Sequence, residues 1–286
     1  MTSEQTDPSA ADQVDWLPAD VDLERPNAAR VYDVYLGGAH NFAVDREFAR
    51  RAKELLPDVD VVARMNRTYL QRVVRELSRA GVDQFLDLGS GIPTVGNVHE
   101  IAQGINPDAK VVYVDNEPVA VSHSALILEG NERAAVVQAD IRRPSEVLDA
   151  EETRRLLDFD RPVAVIMCTI LHFISDGDDP MGVVAAYRDA LAPGSYLAIS
   201  HGTTDNRPDL QAFGEAYRDT PNPVTLRPRD QVARFFDGFE LIEPGLVFTP
   251  QWRPESPADV GDEPERSGVY AGVARKNRPS TQQVAR

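Results

Sequence analysis

The chain has a single cysteine among its 286 residues, Cys168. No intramolecular disulfide can form, which fits a reducing compartment and predicts a cytoplasmic protein. No apolar run approaches the ~18 residues that span a bilayer. The N-terminus also lacks a basic stretch followed by an apolar one, so neither a membrane partner nor a secretory leader is expected. Positive charge is scarce. Thirty Lys and Arg stand against 46 Asp and Glu, a formal net charge of −16. Such a field repels phosphate backbones and argues against a general nucleic-acid surface. The five His and the acids show no metal-ligand spacing, so no metal is expected. Gly-x-Ser-x-Gly is missing, which disfavours an α/β-hydrolase.

What is present is ordinary for a globular chain: 42% apolar and 27% charged residues. The first 24 residues hold seven acids and no Lys or Arg, so residues 1–24 read as an acidic flexible tail, with Trp16 as the one anchor for a docking segment. Residues 25–82 read as an N-terminal helical cap. Asn27 can cap a first helix that Gly37-Gly38 ends, and Asp45 can cap a second. A stripe of Val62, Met65, Tyr69, Val73 and Leu77 marks a third. Residues 277–286 read as a second flexible tail.

Residues 83–276 read as the core. Apolar runs at 84–88, 111–115, 134–139, 163–168 and 196–200 lack polar alternation, as strands buried on both faces do. Helical stretches at 94–104, 117–130, 144–157 and 179–192 separate them. This alternation predicts a doubly wound α/β fold with a mostly parallel sheet. The end of the chain differs: 239–248 and 269–275 read as strands joined by a proline-rich loop, which predicts an antiparallel hairpin.

The strongest motif is 85–94, Phe-Leu-Asp-Leu-Gly-Ser-Gly-Ile-Pro-Thr. Gly89 and Gly91 permit a tight turn with no side chain between backbone and ligand. A third glycine would complete a dinucleotide fingerprint, but Thr94 stands there, so pyrophosphate is less favoured. Asp115 ends the second strand, where a carboxylate can accept from both ribose hydroxyls. Asp140 ends the third, where it can accept from an adenine amine with Ile141 against the ring. Each also has a plain reading as a turn or helix cap. The run 176–179, Asp-Gly-Asp-Asp, reads as a helix-capping turn before Pro180.

These features together resemble the S-adenosylmethionine-dependent methyltransferases with a seven-stranded α/β fold. The run 29–38, Ala-Arg-Val-Tyr-Asp-Val-Tyr-Leu-Gly-Gly, together with Asn41-Phe42, Asp45-Arg46 and Asn97-Val98-His99-Glu100, resembles more narrowly the actinobacterial DUF574-like S-adenosyl methyltransferases. The resemblance implies that the last strand lies antiparallel between the fifth and sixth, and that S-adenosyl-L-methionine is the cofactor. It assigns Gly89, Ser90 and Gly91 to the methionine end and ribose, Asp115 and Asn116 to the ribose and adenine edge, and Asp140 and Ile141 to the adenine. Asp87 would orient the turn or meet the cofactor amine. The segment from Cys168 and Thr169 to Ile174 would flank the methyl. It lacks the Asn/Asp-Pro-Pro-aromatic run of base-amino methyltransferases, which implies a small-molecule O or N acceptor.

His172 and His201 are candidate general bases. Tyr32, Tyr35, Asn41 and Arg67 are candidates to line or cover the substrate site, and Arg30, like Arg67, can bind a carboxylate. Two other readings remain open at this point: a NAD-dependent oxidoreductase, and a non-catalytic S-adenosylmethionine-binding protein.

Overall fold

The computed structural model describes Pro18, residues 21–93 and residues 96–277. The expectations for Trp16, for most of the acidic segment, for Thr94 and for the stretch after Asn277 lie outside the described residues.

Three helices come first: α1 (Ala28–Leu36), α2 (Ala43–Leu55) and α3 (Val59–Arg79). Asn27 caps α1 by accepting from the Ala29 N–H, and Gly37 closes it in the left-handed conformation. Asp45 is not the cap of α2 but sits one turn inside, where its carboxylate accepts from the N–H groups of Phe42 and Asn27. Along α3, Tyr69, Val73, Val74 and Leu77 pack on one face of the sheet. The Tyr69 hydroxyl reaches the carbonyls of Ile199 and Gly272.

The strands β1 (Gln84–Leu88), β2 (Lys110–Asp115), β3 (Ala134–Gln138), β4 (Ala164–Cys168) and β5 (Tyr196–Gly202) pair in parallel. Between them run α4 (Val98–Ile105), α5 (Pro118–Ile127), α6 (Pro144–Leu148), α7 (Glu151–Leu156) and α8 (Pro180–Ala190). After β5 come α9 (Asp209–Ala216), α10 (Arg229–Arg234), β6 (Glu240–Leu241), β7 (Val247–Phe248) and β8 (Val269–Arg275). The order across the sheet is β3-β2-β1-β4-β5-β8-β6, with β7 also on β8. The last strand is thus antiparallel between the fifth and sixth positions, as the family resemblance implies.

Three details differ from expectation. The stretch 239–248 is two short strands on one partner, because Pro244 lacks a ladder N–H and Gly245 turns the chain at positive φ. The helix expected over 94–104 begins at Val98, where Glu100 accepts from the N–H groups of Gly96 and Asn97. Its N-terminus is therefore satisfied within the chain, and the glycine turn does not open straight onto it. The stretch 144–157 is two helices, broken at Asp149 and Ala150.

Candidate functional site

The tips following β1, β2 and β3 meet at the carboxyl ends of the strands, where open α/β sheets bind ligands. With α1, α3, α9 and the segment after β4 they enclose a cavity of about 450 Å³, a size usual for small-molecule sites.

Gly89 and Gly91 both have positive φ, 71° and 66°, but for different reasons. A Cβ on Gly89 would overlap the Ile170 side chain at 2.4 Å, whereas one on Gly91 would meet nothing within 4 Å. Gly89 admits Ile170, and Gly91 keeps the cavity clear. The N–H groups of Gly89 and Ser90 donate to the Val114 carbonyl, and that of Gly91 donates to Asp115 Oδ2 at 2.7 Å. Ser90 Oγ is buried without a partner.

Asp115 also accepts from the Glu117 N–H at 2.9 Å. Burial raises its pKa, against the pull of these backbone donors. It is both the acid expected at the end of the second strand and a cap for the turn into α5. Asn116 beside it is exposed and lines the cavity. Asp140 lines it too, with both oxygens bound by the Arg142 guanidinium, Oδ1 by Nε and Oδ2 by Nη2. Burial works upward on its pKa, but the Arg142 bonds outweigh it and the net shift is downward. Ile141 is 6% exposed and lines the same wall. Asp87 is 4% exposed. Burial pushes its carboxyl up to about 7, the Arg67 charge pulls it back, and Asp115 adds to the rise. Arg67 Nη2 holds Asn97 Oδ1 at 2.9 Å, while its Nε is buried with no partner.

At the end of β4, Thr169 has φ 50°, a strained conformation for a β-branched residue. Its N–H donates to the Ser200 carbonyl and to Ser200 Oγ, both at 3.0 Å. Asn66, from the middle of α3, completes the lock. Its amide donates to Thr169 Oγ1 at 3.1 Å and to the Tyr32 hydroxyl at 3.0 Å, and its carbonyl accepts from Ser200 Oγ at 2.6 Å. The Tyr32 hydroxyl donates to the Ala63 carbonyl, and burial pushes its pKa to about 12. Tyr35 shares a hydrogen bond with Tyr217 at 3.1 Å.

His172 lines the cavity. Its Nδ1 is buried without a partner, and burial with the nearby Arg227 charge lowers its pKa to about 3. The ring is neutral at physiological pH and a weak base. The structure does not bring His201 to the cavity. That ring is fully buried, with Nδ1 on the Gly202 carbonyl at 2.8 Å and Nε2 on Arg227 Nη1 at 3.0 Å. Arg227 can only donate, so Nδ1 carries the proton and both nitrogens are occupied. Asn41 is also elsewhere, held by Asp33, Gly38 and Arg46. Arg30 is not free for a ligand carboxylate: its guanidinium is bound to Asp45 and Glu117, each at 2.9 Å. Asp179 caps α8 by accepting from the Gly182 N–H, as expected of the acidic turn.

Sequence reasoning missed Asn66, Ser200, Phe213 and Tyr217. The available signals were a polar residue within the apolar stripe of α3 and the helical spacing of Leu210, Phe213 and Tyr217.

A sheet of this order, with a glycine turn and an acid at successive strand ends on one cavity, defines a doubly wound α/β protein built to hold a nucleoside-containing ligand at the carboxyl ends of its strands. The family model for S-adenosyl methyltransferases matches residues 14–277, and the chain belongs to that family. It is 40% identical to a DUF574 family protein from Streptomyces avermitilis, over 89% of this chain and 99% of that one, with a TM-score of 0.86. It is 42% identical to a Thermobifida fusca protein solved under a provisional methyltransferase assignment, over 92% and 99%, with a TM-score of 0.87. An O-methyltransferase family protein from Burkholderia thailandensis, 16% identical over 81% and 63% with a TM-score of 0.50, shares the fold. No curated protein matches the chain. The protein is an S-adenosylmethionine-dependent methyltransferase.

The residues present fit that cofactor. Gly91 leaves its Cβ space open, Ser90 Oγ and Arg67 Nε lack partners, and carboxylates stand at the ends of β2 and β3 on the same cavity.

Proposed function

We propose that the enzyme methylates an oxygen or nitrogen nucleophile of a small molecule by in-line displacement. The support is a concave cavity rather than a flat face, with the strained Thr169 locked by Asn66 and Ser200 where β4 ends. In this reading Gly89, Ser90 and Gly91 cradle the methionine end and ribose of the cofactor. Asp115 and Asn116 hold the ribose and adenine edge, Asp140 and Ile141 the adenine, and Asp87 the ammonium. The bound cofactor supplies an electrophilic sulfonium methyl. Thr169 fixes the wall beside it, so that the acceptor atom stands about 3–3.5 Å from the methyl, in line with the C–S bond. With the cofactor bound, the acceptor would receive the methyl and would release its proton to solvent water, since the lowered pKa of His172 does not let the ring hold it. His172, neutral and facing the cavity, accepts a hydrogen bond from the acceptor rather than storing that proton. Tyr32, Tyr35 and Arg67 line the site, and residues 25–82 act as its cap.

Among the described residues no helix is long and apolar enough to cross a membrane. The single cysteine and the net charge of −16 support a cytoplasmic enzyme without a nucleic-acid partner.

The test is calorimetry with S-adenosylmethionine, S-adenosylhomocysteine and NAD. Mass spectrometry of small phenols and amines incubated with enzyme and methyl donor then looks for product. Binding of the adenosyl sulfur compounds and an acceptor heavier by one methylene are expected. Preferential NAD binding would overturn the reading.

A further inference from the structure

Two stretches of the cavity lining have a chemistry of their own. The lining residues contributed by stretches 27–66 and 210–226 include no Asp, Glu, Lys, Arg or His among those described. The charged lining groups, Arg67, Asp87, Asp115, Asp140, Arg142 and Asp178, all come from outside these two stretches. Four aromatic rings from three parts of the chain meet on this side. Phe213 lies 6.5 Å from Tyr35 and 5.3 Å from Tyr217, and Phe173 lies 6.4 Å from Tyr217. All four line the cavity. The hydroxyls of Tyr35 and Tyr217 are turned on each other; these two rings are 7% and 5% exposed and form the floor of the apolar patch, while half-buried Phe213 and Phe173 present more of their rings.

From this wall we infer that the methyl acceptor is an uncharged small molecule built on an aromatic ring. Its body lies among Tyr35, Phe173, Phe213 and Tyr217. The inference rests on the methyltransferase reading of the same cavity and narrows its substrate class.

The physical reasoning is a comparison of three ligand types. An anion among these rings would find no cation on the two stretches themselves, and the next lining residue, Arg67, turns its Nη2 to Gly96 and Asn97; burying an unpaired charge is strongly unfavourable. A cation could be drawn to the ring faces. However, no carboxylate from these two stretches lines the wall, and a protonated amine has no lone pair to receive a methyl. An uncharged ring gains burial and the offset or edge-on contacts that aromatic pairs prefer, at no charge-desolvation cost. Leu56, Val59, Leu210 and Leu226 extend the same apolar surface.

The experiment uses the full chain saturated with S-adenosylhomocysteine and three probes of one shape. These are 2-naphthol, the anion 2-naphthoate and the cation 2-naphthylmethylammonium, titrated by calorimetry at neutral pH. 2-Naphthol is expected to bind at least about tenfold more tightly than either charged probe. Phe213 is half-buried, so its replacement is tolerated by the fold. Phe213→Ala should weaken 2-naphthol about tenfold while leaving S-adenosylhomocysteine affinity unchanged. Phe213→Asp should move the preference to the cationic probe. Tighter binding of a charged probe to the natural chain, no binding of 2-naphthol, or no response to Phe213→Ala would each overturn the inference. Because S-adenosylhomocysteine is titrated first, failure of the cofactor reading is seen separately, as absence of that first binding event.

Discussion

Asp87 carries the clearest electrostatic tension in the site. Burial holds its carboxyl near 7, against about 3.9 for an unfolded aspartate. The folded state therefore binds this proton more tightly. The stabilisation is complete below about pH 4 and is lost as pH rises through 7. An ammonium brought alongside favours the carboxylate, so cofactor affinity should move the other way and fall as pH drops below 7. Asp87→Asn should melt several degrees higher than the natural chain at pH 8, yet bind S-adenosylhomocysteine more weakly there and with a flatter pH profile. Superimposable profiles for the two proteins would count against the assignment. The two glycines separate in the same way. Gly91→Val should remove S-adenosylhomocysteine binding, because its side chain projects into the cavity. Gly89→Ala should mainly lower the melting temperature, because its Cβ meets Ile170. Asp87, Gly91 and Asp115 are legible in the sequence because their placement is local: each sits at a strand end or in the turn after it. Phe213 and Asn66 are not, since only long-range packing brings them to the cavity.

At the scale of elements, Asn66 joins α1, α3, β4 and β5 through Tyr32, Thr169 and Ser200. Asn66→Leu would leave the buried hydroxyls of Tyr32, Ser200 and Thr169 each short of a partner. A loss of about 1–3 kcal/mol in urea unfolding is expected, with S-adenosylhomocysteine affinity largely kept. A loss of affinity as large as the loss of stability would instead place Asn66 on the cofactor. The parallel strands are readable from continuous apolar runs. The helices α9 and α10 are harder to read: Leu210, Phe213 and Tyr217 keep helical spacing, but Pro208, Pro221, Pro223 and Pro228 interrupt the stretch. The split of 239–248 follows from Pro244 and Gly245, whose effect is masked by the apolar residues on either side of them.

At the scale of the molecule, Arg30 ties the N-terminal helices to the cofactor side. It is 1% exposed and bonds Asp45 of α2 and Glu117 before α5, and Glu117 gives its N–H to Asp115. Removing the cation strands two buried carboxylates, so Arg30→Met should cost about 3–5 kcal/mol in urea unfolding. S-adenosylhomocysteine affinity should fall with it. A change below about 1 kcal/mol would show the network to be solvated. Across the same cavity, the Ala28 N–H meets the Asn222 side chain at 3.0 Å, a bond between uncharged groups. The two sides of the enclosure thus differ in how readily they part. Thermal breathing opens the weaker seam first, so limited proteolysis should nick the chain near 221–226 well before it reaches α1, and a saturating cofactor should do little to protect that stretch.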